Sequence, residues 1–158
     1  MKLSHSMKSS HCLLAALLTI FSVSASADVA TAQKIADKYA AAAKAIDPTY
    51  AGPSAEEGKV FFNREVIQFK GDVNAPGKAI ACASCHTANP ADAGKHIVTG
   101  KLIKPLSPHI NKKRFQSTRD VEKNFTKHCN EVVGSDCSPQ EKANYIAYLL
   151  TEKAPSKK

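Results

Sequence analysis

Residues 82–86 read Cys-Ala-Ser-Cys-His. No other feature constrains the chain as much. Two thiols one helical turn apart can add across the two vinyl groups of one haem, and the adjacent imidazole reaches the iron from the proximal side. A zinc site would want a second Cys/His pair at close spacing, and a thiol redox motif would want a βαβ context. The sequence offers neither. The motif therefore predicts one covalent haem c, with Cys82 and Cys85 as the thioether residues and His86 as the proximal ligand. The cofactor then carries the chemistry, and the polypeptide has to wrap it.

The first 27 residues read as an export signal. Lys2 and Lys8 form a positive start, Cys12 to Val23 is an apolar run, and Ala25-Ser26-Ala27 is a cleavage site. The run has 12 residues, short of the ~20 that span a bilayer; an uncleaved anchor is the alternative. Export implies a periplasmic location and an oxidising compartment. Cys129 and Cys137 are then an even pair left over from the haem motif. A disulfide across a turn containing Gly134 is expected, against free thiols or a metal pair. Without the leader lysines the net charge falls from +8 to +6. The basic residues are dispersed and the chain is exported, which argues against nucleic acid and for an acidic protein partner.

Local patterns predict helices throughout. Residues 31–46 are alanine-rich and stop at Asp47-Pro48. Residues 49–53 form a linker, and Ser54-Ala55-Glu56-Glu57 is a capping box that opens a second helix. Residues 63–80 are less regular. Residues 89–113 read mostly as loop, with Pro90, Gly94, Gly100, Pro105 and Pro108. Such a long segment suits a cofactor wrap. A third helix starts at Ser117 or Thr118 and runs to about Val133, before Gly134. Ser138-Pro139-Gln140-Glu141 starts the last helix. No strand alternation or repeat appears. The expected organisation is a signal peptide over 1–27, an N-terminal helix and linker over 28–53, and an all-α haem-binding domain over 54–158.

The other face of the iron is constrained by an absence. The only methionines are Met1 and Met7, both in the leader, so methionine ligation is excluded from the mature chain. His96, His109 and His128 remain. Val121, Phe125, His128 and Val132 fall at i, i+4, i+7 and i+11, one stripe of the third helix. A basic ring inside that stripe needs a partner, and iron would be one. His128 is therefore the expected distal ligand. The alternatives are another residue, an open position, or a His128 bonded to a propionate or a backbone carbonyl. The free nitrogen of His86 is expected to donate to a carbonyl, with Pro105 the candidate acceptor.

Longer motifs resemble one family. Gly100-Lys101-Leu102-Ile103-Lys104-Pro105-Leu106-Ser107-Pro108, Arg114-Phe115, Val121-Glu122-Lys123, and the run from Cys129 through Cys137 to Ala143 are similar to the sphaeroides haem protein family. Those proteins are monohaem class I cytochromes c of oxygen-binding type. The resemblance covers roughly residues 54–151. It implies the class I fold of helices and loops around one haem, haem attachment at Cys82, Cys85 and His86, and a disulfide between Cys129 and Cys137. It also implies a dihaem cytochrome c as redox partner. The family's distal ligand is an asparagine immediately before the first disulfide cysteine; in this chain that position is His128. An imidazole is the stronger donor to iron in either oxidation state.

Two functions follow. The first is an exported electron carrier, rather than an enzyme, docking through a basic loop from Lys95 to Arg114 that includes Lys112 and Lys113. The second is an oxygen- or nitric oxide-reactive haem protein with an exchangeable distal site.

Overall fold

The computed structural model describes residues 27–67 and 77–157. The expected signal peptide lies outside the described residues, apart from Ala27. Among the described residues there are five helices: α1 (Ala27–Ile46), α2 (Ala55–Asn63), α3 (Cys82–His86), α4 (Thr118–Val132) and α5 (Pro139–Thr151). Two small ribbons join them. β1 (Val66–Ile67) pairs antiparallel with β2 (Ala79–Ile80), and β3 (Gly94–Lys95) with β4 (Leu102–Ile103). Each strand has two residues, too few to show alternation, which is why the sequence pattern missed them. The segment expected to be mostly loop thus contains a hairpin, turned through Gly100 at φ +69°.

α1 begins four residues before the predicted Thr31, with Asp28 in its first turn, where a carboxylate complements the helix dipole. Ala32, Ile35, Ala36, Tyr39 and Ala43 fall on one helical face and are buried. That face packs along α5, which is sandwiched between α1 and α2. Among the described residues no helix is long and apolar enough to cross a membrane.

The predicted caps are largely in place. Ser117 Oγ accepts from the Asp120 amide at 3.2 Å. Ser138 and Glu141 form a full reciprocal box, with Pro139 opening α5. The box at α2 is only half built. Ser54 Oγ accepts from the Glu57 amide, but Glu57 accepts from Asn144 Nδ2 at 2.6 Å instead of reaching back to Ser54. Asn144, buried in α5, takes over. Its Oδ1 accepts from the Ser54 amide and the Tyr50 hydroxyl, both at 2.9 Å. A buried amide with all these partners satisfies the α2 end and locks α2 onto α5.

α4 is attached differently. Glu122 accepts from the Tyr39 hydroxyl of α1 and from Lys142 Nζ of α5, the latter at 2.6 Å. Burial alone would raise the Glu122 pKa, but the bonds from Lys142 and Tyr39 hold it below the usual carboxylate value. Phe125 packs edge-on against Tyr39 and Tyr145. At the other end Cys129 and Cys137 are disulfide-bonded, eight residues apart in sequence. Closing so short a loop contributes about 2–3 kcal/mol in chain-entropy terms.

The α2–α5 crossing depends on Gly58. A Cβ there would lie 1.9 Å from the Asn144 carbonyl oxygen. Gly58→Ala is expected to lower the unfolding free energy in urea by about 1–3 kcal/mol. An unchanged midpoint would mean that the helices do not need this close approach.

Candidate haem site

α3, α4, α5 and the β3–β4 hairpin enclose an apolar cavity of about 360 Å³. It is lined by Cys82, Cys85 and His86 of α3, by Asn124, His128 and Val132 of α4, and by Ile97 and Val98 of the hairpin. The predicted attachment residues and the predicted distal residue are therefore on the same cavity. Among the described residues, no group of three His, Cys, Asp or Glu side chains converges as a bare metal site would require.

α3 is a single turn, and its geometry is fixed from both ends. Ser84 Oγ accepts from the Ala81 amide at 3.0 Å at the start. Thr87 ends the turn at φ +63°. A β-branched residue there costs on the order of 1–3 kcal/mol, and the Thr87 hydroxyl bond to the Asn89 carbonyl offsets part of it. Gly94 lies against the turn: a Cβ would fall 2.1 Å from the Cys85 oxygen. The hairpin thus packs directly on the motif backbone.

Burial pushes the Cys82 thiol up to about 11. Burial, helped by the Arg114 charge, pulls His86 down to about 4. His86 is consequently a neutral imidazole at ordinary pH, the form that binds iron. The Pro105 carbonyl expected to receive its N–H is instead bound by Asn111 Nδ2 at 3.0 Å. Among the described residues His86 makes no hydrogen bond to it. The Asn111 amide, six residues along the same loop, reaches that oxygen by a purely local turn.

The stripe on α4 is deeper on one side than expected. Val121, Phe125 and Cys129 are its buried members, whereas the His128 side chain is 48% exposed. Periodicity identifies the face but not the depth: Cys129, at i+8 from Val121, turns towards the packed side, and His128 sits at the stripe's cavity margin.

Hydrogen bonding separates the three histidines. His96 also lines the cavity, but its Nδ1 faces the Val98 and Thr99 amides at 3.2 Å. That nitrogen must accept, so the neutral ring carries its proton on Nε2 and has no lone pair left for a metal. His109 bonds the Leu150 carbonyl at 3.0 Å, away from the cavity. His128 Nδ1 faces Glu131 Oε2 at 3.0 Å. A carboxylate only accepts, so Nδ1 carries a proton; in the neutral ring the lone pair is then on Nε2, the arrangement of a histidine ligand oriented by a carboxylate. The Glu131 partner, three residues on, was readable from helical spacing.

Arg114 was missed. Its neighbours Lys112 and Lys113 place it in the basic loop, but its side chain lines the cavity. Burial lowers its pKa, and among the described residues no carboxylate pairs with it. A desolvated guanidinium on a cavity wall matches the acidic edge of a haem. Tyr145 also faces the cavity, its pKa raised by burial. The donor set, the apolar lining and this cation all fit haem c: Cys82 and Cys85 would carry its two thioethers and His86 its iron.

A helical fold around such a cavity, with C-x-x-C-H on a one-turn helix, defines a class I c-type cytochrome. The chain belongs to the family described as a domain of unknown function, DUF1924, whose model matches residues 48–149. It is 53% identical over 145 residues to cytochrome c'' of Methylophilus methylotrophus, covering 92% of this chain and 96% of that one. It is 37% identical over 125 residues to the cytochrome c-type protein SHP of Cereibacter sphaeroides, covering 79% and 86%. The crystal structure of oxidised cytochrome c'' superposes with a TM-score of 0.73, over 81% of this chain and 99% of that one. A solution structure of the same protein, concerned with haem-ligand detachment, gives 0.72 at 53% identity, over 82% and 99%. Oxidised SHP, an oxygen-binding cytochrome c, gives 0.59 at 35% identity, over 76% and 96%. The fold is all-α, and the cofactor is one covalently attached haem c.

Proposed function

We propose that this chain is an exported, periplasmic electron carrier in which His86 and His128 are the two axial ligands, and in which His128 can be released to admit a diatomic gas. One observation carries the reading: His128 lines the cavity that holds Cys82, Cys85 and His86, and it is Nδ1, not Nε2, that Glu131 engages. Haem c supplies one-electron iron chemistry when bound. His86, kept neutral by burial, holds the proximal side. Glu131 holds the Nδ1 proton of His128 and so aims Nε2. Arg114 balances negative charge at the cavity edge. Release is supported by the exposure of the His128 turn and by the detachment and oxygen binding named for the two relatives. An imidazole holds iron more strongly than an amide, so electron transfer comes first in this chain.

The ferrous protein is the test. Reduction under carbon monoxide is expected to give slow, incomplete adduct formation, and His128→Ala is expected to make it fast and complete. A ferric spectrum unaltered by His128→Ala would remove His128 as ligand. A low-spin ferrous spectrum indifferent to carbon monoxide would remove the release step.

The docking face is the hairpin. Residues 93–118 contain no Asp or Glu. Lys95, Lys101, Lys104 and Lys113 are exposed there, around Val98 and Leu102, which are 82% and 78% exposed. This apolar tip ringed by lysines, beside the cavity, suits an acidic redox protein, of which a dihaem cytochrome c is the kind the family resemblance implies. Lys95→Glu/Lys101→Glu/Lys104→Glu is expected to slow oxidation by anionic ferricyanide and to speed oxidation by a cationic cobalt(III) complex, at low salt only. Equal rates for both reagents before and after reversal would exclude the hairpin as the entry face.

A further inference from the structure

Around His128, α4 packs on the rest of the chain through one side only, that of Phe125 and Cys129. His128 and α3 line the same cavity, and the side chains of His128 and Glu131 are about half exposed. Two anchors fix the helix. One is the disulfide at Cys129, the residue next to His128. The other is Glu122, six residues earlier, which binds Tyr39 of α1 and Lys142 of α5. Lys142 is 8% exposed and lies over the rings of both Tyr39 and Phe125, at 5.5 and 5.7 Å from their centroids. The anchor is thus an ion pair whose lysine is buried against aromatic rings and whose carboxylate stays half exposed, with three helices meeting at that carboxylate. Such an arrangement has a single good geometry and resists small displacements. Tyr39 comes from α1, which precedes the residues matched by the family model at 48–149. α1 therefore adds a strut to α4 that the matched domain does not itself contain.

We propose that Tyr39, Glu122 and Lys142 form a clamp that positions α4, so that the N-terminal helix sets how firmly His128 is held at the cavity. A helix fixed at one end by a short covalent loop and at the other by this clamp can tilt only if the clamp yields. Loosening it moves the His128 turn without touching the cavity lining. Tyr39, Glu122 and Lys142 are positioning residues: none lines the cavity. The inference rests on His128 being the distal ligand.

The test uses the haem-loaded protein with Tyr39→Phe and Glu122→Gln, each alone and each combined with His128→Ala. Tyr39→Phe removes one hydroxyl and keeps the ring that Phe125 packs against, so it folds. Loss of a hydrogen bond of this type corresponds to about a three- to tenfold change in an equilibrium or rate. Each single variant is expected to raise the ferrous carbon monoxide association rate by that factor and to move the midpoint potential upward, because the ferric state loses part of its distal imidazole. In the His128→Ala background neither substitution should change the rate further, since the residue being positioned is gone. A lowered melting temperature with unchanged rate and potential would make the clamp merely structural and overturn the proposal. An equal effect with and without His128 would overturn it too. A His128→Ala protein with an unaltered ferric spectrum would instead defeat the ligand assignment, a separate result read before the clamp variants are compared.

Discussion

The structure depends on bringing His86 of α3 and His128 of α4 to one apolar cavity. The His86 side is rigid: a one-turn helix pinned by Ser84 and Thr87 and backed by Gly94, where a Cβ would strike the Cys85 oxygen. The His128 side is held at a distance, by a disulfide at one end of α4 and the Glu122 contacts towards the other. α5 joins the two sides. It takes α1 on one face and α2 on the other, and it supplies Asn144, Lys142 and Tyr145 to the α2 crossing, the clamp and the cavity. The asymmetry is physical in origin. His86 is adjacent to the attachment cysteines on a pinned turn, whereas His128 is on a helix whose buried contacts, through Val121, Phe125 and Cys129, lie on its other side.

The tautomers of the histidines are as informative as their positions. His96 and His128 both face the cavity, and distance alone would leave both as candidates. The His96 ring accepts two amide protons and the His128 ring donates to Glu131. Only the second leaves Nε2 free to bind a metal. The family resemblance reached the same residue by a different route, through the position before Cys129.

Much of this was legible in the sequence, where the physics is local. The haem motif is a covalent spacing, and the Ser117 and Ser138 caps are bonds within four residues. The stripe on α4 was read correctly as a face, but not its depth, because burial of Cys129 and exposure of His128 depend on what lies across the cavity. Long-range bonds were invisible. Glu57 leaves its expected cap for Asn144, 87 residues away, and Tyr39 reaches Glu122 across 83. Arg114 looked like a docking cation because it follows two lysines, yet the chain turns it inward. The Pro105 carbonyl was the right kind of acceptor, and a nearer donor, Asn111, reached it.

The central claim is that two histidines lining this cavity hold the iron in the oxidised protein. A crystal structure of the oxidised, haem-loaded chain tests it most directly. The account predicts Nε2 of His86 and Nε2 of His128 on opposite faces of the iron, Nδ1 of His128 bonded to Glu131, and the Arg114 guanidinium beside a haem carboxylate. Solvent, Asn124 or His96 in the sixth position would contradict it.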